Sequence, residues 1–364
     1  MRVAVTLEQC WHVVPGGTAV AALELVRALD ARGDIDLVGV AARHGSPPPE
    51  AWRPPIEVRH LWAPRAALYE MWHARLPLAR VERATGPVDL VHGTAVAFPR
   101  ADVPVVMTIH DLAFLDDPQL VTKHGLRFFK RGTDLAREHA RLVMCSSRAT
   151  MEDCVLAGFD VDRLRLVPLG VRGVPRTLEE VSHARAKHGL ARPYVLFTGT
   201  VEPRKNLRRL LRAFAQLPRR DVDLVLVGPA GWKESLEAEL APLEGRVHVL
   251  GFVEREELEA LLAGADVFCL PSLKEGFGLP VLEAMRQGVP VVTSKDTSTA
   301  EVAGDAGLLV DPLDEAAIAA AIEELLEDRA LAEGLAAAGQ ARAATYTWER
   351  TAAAAMAVYA EAIT

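Results

Sequence analysis

The stretch ADVFCLPSLKEGFGLPVLEAMRQGVPVVTS, residues 265–294, decides the fold. Its first seven residues, 265–271, form an apolar run followed by turn residues, which predicts a buried strand. Pro280 is predicted as the first residue of a helix, because that position does not use the N–H that proline lacks. Gly288 suits the position just after the helix end, and residues 289–294 predict a second buried strand. Strand, glycine loop, helix and strand in this order form the repeating unit of a parallel sheet.

The loop between the first strand and the helix carries two glycines and is followed by a helix start. Gly276 and Gly278 let the backbone approach a ligand closely, and the free N–H groups at a helix start suit a phosphate. Glu275 begins the loop and Glu283 is predicted in the first helical turn, so both carboxylates can face one small pocket. Because carboxylates accept hydrogen bonds from hydroxyls, the pattern favours a ligand with central phosphates and hydroxylated ends, such as a nucleotide sugar. For this stretch alone, two solvated glutamates beside a helix cap are the preferred interpretation, so the rest of the chain has to decide.

Length and composition narrow the class of protein. The chain has 364 residues, enough for two domains, and half of them are apolar. The net charge of −8 argues against nucleic acid as the main partner. The N-terminus lacks the apolar core of a signal peptide and no apolar run reaches membrane-spanning length, so we expect a cytoplasmic protein. The four cysteines form no C-x-x-C pair and are predicted to be reduced, buried thiols: Cys10, Cys145, Cys154 and Cys269.

Predicted strands and helices alternate along the chain, and the alternation begins twice. This predicts an α/β protein with two doubly wound parallel-sheet domains, in which ligands bind outside the carboxyl ends of the strands. The Pro- and Gly-containing residues 168–176 are the predicted linker. The predicted division is residues 1–170, residues 171–345 and a C-terminal helix, 346–364, that packs back on the first domain.

The sequence GTVEPRKN, residues 199–206, follows the first strand predicted for the second domain. Arg204 and Lys205 are adjacent cations just before a predicted helix, where they oppose the helix dipole by roughly 0.3–1 kcal/mol each. A fork-shaped donor, a point charge and a helix start together indicate a bound phosphate. Gly199, at the end of the strand, is included in the predicted ligand-binding set.

Two features of the first domain point to weaker candidates. Gly16 and Gly17 enter the first predicted helix with Thr18 as a possible N-cap, and a ligand site and a simple glycine turn are equally compatible with this. His110 ends a buried strand, where it could donate to a sugar hydroxyl or handle a proton. For His110 alone, a histidine satisfied by local hydrogen bonds is the simpler interpretation.

Several motifs of other site types are missing from the sequence. There is no G-x-G-x-x-G, no G-x-x-x-x-G-K-[ST] and no His/Cys cluster with zinc spacing. The three D-x-D triplets, at 34–36, 160–162 and 221–223, are predicted to be turns. We therefore expect the phosphates to be neutralised by Arg204, Lys205 and helix N-termini, without a cofactor or an obligatory metal.

Five ordered segments resemble the second domain of retaining glycosyltransferases of family four, which have the GT-B fold. They are GTVEPRKNL, LVGPAGW, VLGFVEREEL, SLKEGFGLPVLEAMRQGVPVVTS and EVAGDAGLLVDP. The resemblance covers roughly residues 190–345 and extends into the first half through the Gly-Gly loop and TIHDLAF. It implies two Rossmann-like domains that face each other across a cleft. The chain departs from the family pattern at Leu169, where Asn is frequent before the glycine, and at Ala300, where Pro is common.

The resemblance also implies roles for individual residues. Arg204 and Lys205 would hold the donor diphosphate, Glu275 would contact hydroxyls of the donor sugar, and Glu283 would hold the ribose. Gly16 and Gly17 would close on the donor, and His110 would lie near the reacting centre. Backbone N–H groups would meet the sugar and phosphates from three residues of the loop: Phe277, Gly278 and Leu279.

The function that the resemblance implies is hexose transfer from a nucleotide sugar to a glycan or lipid-linked acceptor, in polysaccharide or glycolipid synthesis. The sequences of these motifs most resemble those of family members that use GDP-mannose. A UDP-sugar-dependent transferase, a sugar-nucleotide epimerase of the same fold and a catalytically degenerate binding subunit remain as alternatives. Because no nucleophilic carboxylate is evident, we expect same-face attack, with the leaving diphosphate helping to deprotonate the acceptor.

Residues 52–83 and the predicted helix at 120–142 combine aromatic side chains with arginines and lysines. Such surfaces suit a lipid-linked diphosphate or peripheral membrane contact. Ordinary amphipathic helices with inward aromatics would give the same pattern, and this is the favoured interpretation.

Overall fold

A computed structural model describes residues 1–12, 16–229, 231 and 236–364 of the chain. These residues form two compact units, one of Met1–Gly170 with Trp348–Thr364 and the other of Val171–Thr347. The chain passes from the first unit to the second within residues 168–176, which hold no helix or strand. The C-terminal segment that returns to the first unit begins at Trp348, two residues after the predicted position.

The first unit contains a sheet of seven strands, all of them parallel. The strands are β1 (Arg2–Thr6), β2 (Asp36–Ala41), β3 (Val58–His60), β4 (Leu90–Gly93), β5 (Val105–Ile109), β6 (Leu142–Cys145) and β7 (Leu164–Leu166). Their spatial order is β3-β2-β1-β4-β5-β6-β7, so the order reverses between β1 and β4. The central strands are apolar because helices cover both faces of such a sheet.

The second unit contains a sheet of six parallel strands. The strands are β8 (Tyr194–Thr198), β9 (Asp223–Val227), β10 (Val247–Gly251), β11 (Val267–Leu270), β12 (Val291–Ser294) and β13 (Leu308–Val310). Their order is β10-β9-β8-β11-β12-β13, which reverses between β8 and β11. Ligands of doubly wound sheets bind beyond the carboxyl ends of the strands at such a reversal. The loops that follow β8 and β11 are therefore the natural binding elements of this unit.

Helices alternate with the strands in both units. The described residues of the first unit form α1 (Gly17–Asp30), α2 (Arg65–His73), α3 (Glu82–Thr85), α4 (Ala113–Asp116), α5 (Lys123–His139) and α6 (Arg148–Leu156). Those of the second unit form α7 (Leu178–Lys187), α8 (Leu207–Gln216), α9 (Glu237–Leu240), α10 (Arg255–Ala263), α11 (Leu279–Arg286), α12 (Ser298–Ala303), α13 (Glu315–Glu327) and α14 (Arg329–Ala343). The C-terminal helix α15 (Trp348–Ile363) belongs to the first unit again.

Helix α15 is joined to the sheet of the first unit by a buried polar contact. The Tyr359 hydroxyl lies 2.8 Å from Nδ1 of His92 on β4, and Nε2 of His92 lies 2.7 Å from the Thr108 hydroxyl on β5. Burial lowers the pKa of His92 to about 3, so its ring is neutral near pH 7. The chain end is thus held in the core by a hydrogen bond as well as by apolar packing.

The structure corrects three local predictions about helix starts. Thr18 is not an N-cap, because α1 begins at Gly17 with Gly16 as its cap. Pro280 is the second residue of α11, which begins at Leu279 after Gly278 in the left-handed region (φ 107°). Glu283 therefore lies beyond the first helical turn, in which it was predicted.

Candidate functional site

Three charged side chains meet where β8 and β11 end. The Lys205 ammonium lies 2.6 Å from Oε1 of Glu275, and a guanidinium nitrogen of Arg204 lies 2.8 Å from Oε2 of the same carboxylate. Arg204 also pairs with Glu202 at 2.8 Å. Arg204 and Lys205 lie in a 3₁₀ turn, Pro203–Lys205, that precedes α8, and Glu275 follows β11. Sequence-distant residues that were each predicted to bind the ligand are therefore in direct contact.

Neighbouring hydroxyl and amide groups hold this ion cluster in position. The Ser272 hydroxyl donates to Oε1 of Glu275 at 2.8 Å, and the Ser298 hydroxyl donates to the Glu275 carbonyl at 2.6 Å. The Asn206 side-chain amide donates to the carbonyl of Pro271, 2.9 Å away, and so ties the turn after β8 to the end of β11. Because both carboxylate oxygens of Glu275 are engaged, its orientation is fixed.

The charge state of Glu275 follows from its partners. Burial alone would raise the pKa of this carboxyl, but Lys205 and Arg204 outweigh that effect and hold the pKa at about 2. Glu275 is thus ionised throughout the neutral range, although only 9% of it is exposed. A buried carboxylate with two cationic partners can bind hydroxyls only through lone pairs that the cations leave open.

Gly199 packs against the side chain of Lys205. Its φ is 147°, in the region that favours glycine, and a Cβ there would lie 3.2 Å from Cε of Lys205. Gly228, at the end of β9, approaches still more closely, because a Cβ there would lie 2.1 Å from the Gly199 carbonyl oxygen. A Cβ at Gly199 would displace the Lys205 side chain by a few tenths of an ångström, and the predicted ligand contact of Gly199 stays a prediction.

The glycine loop before α11 presents backbone donors. Within the described residues, no group accepts a hydrogen bond from the N–H of Phe277, Gly278 or Leu279. The loop is anchored by Phe277, a buried side chain whose ring meets Tyr346 edge-on at 5.9 Å. Gly276 lies between Glu275 and this anchor. Unused N–H groups at a helix start are the donors that an anionic ligand needs.

Glu283 lies on α11 in a different environment from Glu275. Burial, with a contribution from Glu259, raises its pKa to about 7, although Arg255 and Lys205 oppose the shift. The same helix therefore carries a carboxyl that is partly protonated near neutral pH. Such a group can either donate to or accept from a hydroxyl.

His110 lies in the first unit, one residue beyond the end of β5. Its Nε2 donates to the Thr94 carbonyl at 3.3 Å, and burial lowers the pKa of its ring. Thr94 is itself fixed by Thr6 and by Gln9, whose amide donates to the Thr94 hydroxyl at 2.7 Å. His110 thus has the local hydrogen bonds of the simpler interpretation, and its catalytic role stays a prediction.

Gly16 and Gly17 open α1 in the same unit as His110. Among the described residues, no atom beyond the neighbouring backbone would lie within 4 Å of a Cβ at either position. The preceding residues of the predicted loop, 13–15, lie outside the described residues. The predicted ligand contact of the two glycines remains a prediction.

The sequence analysis missed several residues that build the site. Ser272, Ser298 and Asn206 position Glu275 and the two cations, and Glu202 pairs with Arg204. Asn206 could have been predicted from the sequence as the residue between the 3₁₀ turn and α8, because Asn tolerates the left-handed conformation that it adopts there (φ 60°). Two small hydroxyl residues carry no comparable signal in a sequence.

The aromatic residues of the basic helix α5 point into the protein. Phe128 stacks on His73 at 4.6 Å and on Tyr69 at 5.4 Å, and Phe129 contacts Phe114 at 5.4 Å. This agrees with the favoured interpretation of an ordinary amphipathic helix. Across the described ranges, no helix is long and apolar enough to cross a membrane, and no group of three or more His, Cys, Asp or Glu residues could hold a metal ion.

Comparisons with known proteins agree on one family. The model of glycosyltransferase family 4 matches residues 15–172, and the model of group 1 glycosyl transferases matches residues 180–342. The chain is 37% identical to O-antigen chain mannosyltransferase B of Escherichia coli, over 71% of each chain. It is 33% identical to the D-inositol 3-phosphate glycosyltransferase of Xylanimonas cellulosilytica, over 95% of this chain and 92% of the relative.

A solved structure shows the same fold. The crystal structure of Anabaena Alr3699/HepE in complex with UDP and glucose aligns with a TM-score of 0.78 and 22% identity. The alignment covers 99% of this chain and 100% of that protein.

Proposed function

The chain belongs to the family 4 glycosyltransferases, which have the GT-B fold, and we propose that it transfers a hexose with retention of the anomeric configuration. The donor is a nucleotide sugar, GDP-mannose in the leading form of the proposal. The acceptor is a hydroxyl of a glycan or of a lipid-linked glycan.

The observation that carries the proposal is the ion cluster at the ends of β8 and β11. Arg204 and Lys205 supply two cations, the loop 277–279 supplies three unused N–H groups, and Glu275 supplies a fixed carboxylate. These are the groups that a sugar diphosphate needs: donors for the phosphate oxygens and an acceptor for sugar hydroxyls. Glu283 lies on the helix that follows and is the candidate for the ribose hydroxyls.

Chemically, the cluster acts on the leaving group. When the bond from the anomeric carbon to the diphosphate breaks, negative charge develops on the diphosphate, and Arg204, Lys205 and the loop N–H groups stabilise it. The acceptor hydroxyl attacks on the face that the diphosphate leaves, and a phosphate oxygen takes the hydroxyl proton. No metal is needed in this scheme, so we expect a chelator such as EDTA to leave the transfer rate unchanged.

The identity of the donor rests on the relatives. The Escherichia coli relative is named a mannosyltransferase, which supports mannose. The Anabaena structure contains UDP, which favours a UDP-sugar as the second candidate. The charged cluster suits the diphosphate, which the two donors share, so contacts outside the cluster select the base.

Thermal unfolding with GDP, UDP, ADP or no nucleotide tests the donor. A nucleotide at one hundred times its dissociation constant adds about 2.7 kcal/mol to the free energy of unfolding. We expect GDP to stabilise the wild type, and Lys205→Ala to abolish the effect. Lys187→Ala is the matched control, because Lys187 pairs with Glu257 on the surface of the same unit. Stabilisation by UDP alone would overturn the GDP-mannose assignment and retain the enzyme class.

Turnover distinguishes the remaining alternatives. Donor incubated without acceptor should stay unchanged in its sugar configuration, as followed by NMR. Conversion to an epimer without acceptor would identify an epimerase. Failure of all nucleotides to bind would favour the degenerate subunit.

A further inference from the structure

The first unit contains a cavity at the amino ends of its strands, whereas His110 follows the carboxyl end of β5. It has a volume of about 370 Å³ and lies by the amino ends of β5, β6 and β7. Its polar lining is formed by Arg75, His139, Arg141 and Arg163, and its apolar lining includes Phe98 and Pro104. Cavities of 300–1,000 Å³ with an apolar wall and a few convergent polar groups are typical of small-molecule sites.

The arginines of this cavity form no ion pair with a carboxylate of the described residues, although Asp102 and Glu361 act on Arg75 and Arg141 from a longer distance. Within the described residues, no Asp or Glu lies within ion-pair distance of Arg75, Arg141 or Arg163. The nearby carboxylates are engaged elsewhere: Asp102 pairs with Arg80 and Arg100, and Glu361 pairs with Arg165. Three guanidinium groups around one cavity repel each other unless an anion lies between them.

Two of these arginines are held in place by the fold. A terminal nitrogen of Arg163 donates to the carbonyls of Ala136 and Arg137, at 3.1 and 2.7 Å, which are two carbonyls of the last turn of α5. The Nε of Arg163 is buried and has no partner among the described residues. Arg75 lies over the ring of Phe98 at 5.2 Å and donates to the Pro99 carbonyl at 3.4 Å. The side chains are thus positioned by carbonyls and a ring, and donors remain for another group.

Arg75 follows the C-terminal end of α2. Its φ is 58°, in the left-handed region, because its N–H donates to the Trp72 carbonyl and the Leu76 N–H donates to the Met71 carbonyl, a common way for a helix to end. The end of α2 therefore sets the position of Arg75 at the cavity. Burial lowers the pKa of Arg75, with smaller contributions from Arg100 and Arg131, and Asp102 opposes the shift.

We propose that this cavity binds a small organic phosphate, with Arg75, Arg141 and Arg163 on the phosphate oxygens and the apolar wall around Phe98 against the organic part. A phosphomonoester suits the lining better than a carboxylate, because three fork-shaped donors match three oxygens that carry close to two negative charges. The site is separate from the donor site, which lies in the other unit, and it does not depend on the donor assigned above.

Phenyl phosphate is the probe, and isothermal titration of the full chain gives its dissociation constant. The variants are Arg75→Gln and Arg141→Gln, since Arg163 also caps α5 and its replacement could unfold the helix end. Arg127→Gln is the control: it removes the same charge from an exposed position of α5 outside the cavity. Each titration is repeated in the Lys205→Ala background, which removes the main phosphate contact of the second unit.

We expect binding that is at least about tenfold weaker in Arg75→Gln and Arg141→Gln and unchanged in Arg127→Gln, in both backgrounds. Benzyl alcohol, which lacks the phosphate, should not bind. Binding of phenyl phosphate that is equal in all variants, or that disappears with Lys205→Ala, would overturn the proposal. So would the absence of binding at millimolar concentration to a wild-type chain whose thermal unfolding is cooperative.

Discussion

In the part of the chain that the structure describes, Glu275 is the one carboxylate that pairs with both cations of the ion cluster, and replacement by glutamine removes its charge. Lys205, of whose side chain 8% is exposed, would then retain a buried ammonium without its partner at 2.6 Å. Breaking a buried pair in this way destabilises proteins by about 3–5 kcal/mol. The pKa gives a second estimate: the difference between the ordinary 4.5 and about 2 corresponds to roughly 3 kcal/mol at 1.36 kcal/mol per pKa unit.

The two estimates agree, so we expect Glu275→Gln to lower the free energy of unfolding by roughly 3 kcal/mol at pH 7. At about 2–4 °C per kcal/mol for a unit of this size, the midpoint should fall by roughly 6–12 °C. Differential scanning calorimetry is the assay, because it can resolve the transitions of the two units. Glu333→Gln is the matched control, since Glu333 pairs with Arg329 on the exposed surface of α14 and should shift the midpoint by little.

The effect of Glu275→Gln on stability should depend on pH in a direction that follows from the pKa shift of Glu275. The folded pKa of Glu275 lies below its unfolded value, so its contribution is complete above pH 4.5 and is lost as the pH falls from 4.5 towards 2. The difference in midpoint between the wild type and Glu275→Gln should therefore shrink over that window. If Glu275→Gln destabilised no more than Glu333→Gln, or if the difference were constant with pH, the account of the ion cluster would be wrong.

Three further predictions concern single residues. Because the pKa of Glu283 is raised to about 7, its carboxyl binds a proton between pH 4.5 and 7 in the folded state but not in the unfolded state. The stability of the wild type should therefore fall as the pH rises through that window. Glu283→Gln should remove this pH dependence of the thermal midpoint. Gly228→Ala should unfold the second unit in circular dichroism, because its Cβ would lie 2.1 Å from a carbonyl oxygen, whereas Gly334→Ala, in open space on α14, should be neutral or stabilise by about 0.5–1 kcal/mol. Tyr359→Phe should cost about 1–3 kcal/mol in urea unfolding, because Nδ1 of His92 loses its partner; an unchanged midpoint would show that the hydrogen bond contributes nothing.

The alternation of strands and helices could be predicted because parallel strands are buried on both faces. Their sequences are continuous apolar runs, and most of these runs could be located in the sequence. Strand β6 was missed although all its residues are buried, because the helix predicted at 120–142 extended into its first residue, whereas α5 ends at His139. Strand β3 was missed because Arg59 and His60 are exposed at the edge of the sheet and break the run. Edge strands have one open side, so their sequences are less constrained.

Candidate site residues could be singled out from the sequence where the local chemistry is unusual, but their contacts with remote residues could not. Adjacent cations before a helix and acids around a glycine loop are conspicuous, so Lys205 and Glu275 both became candidates. Their direct contact joins residues 70 positions apart, and only the strand order brings them together. The position of Glu283 was wrong because Gly278, in the left-handed region, starts the helix at Leu279, before the proline.

The ion cluster also determines how an anion can be attracted to the second unit. The two cations, Arg204 and Lys205, are already matched by two carboxylates, Glu202 and Glu275, so these four side chains carry no net charge. A diphosphate that approaches Lys205 must therefore compete with Glu275 for the same ammonium protons. The unused N–H groups of the loop before α11 are not paired with a carboxylate. They can therefore attract the diphosphate, whereas the charges of the four paired side chains cancel. Because backbone dipoles act at short range, binding of a nucleotide diphosphate should depend less on ionic strength than two unpaired cations would imply.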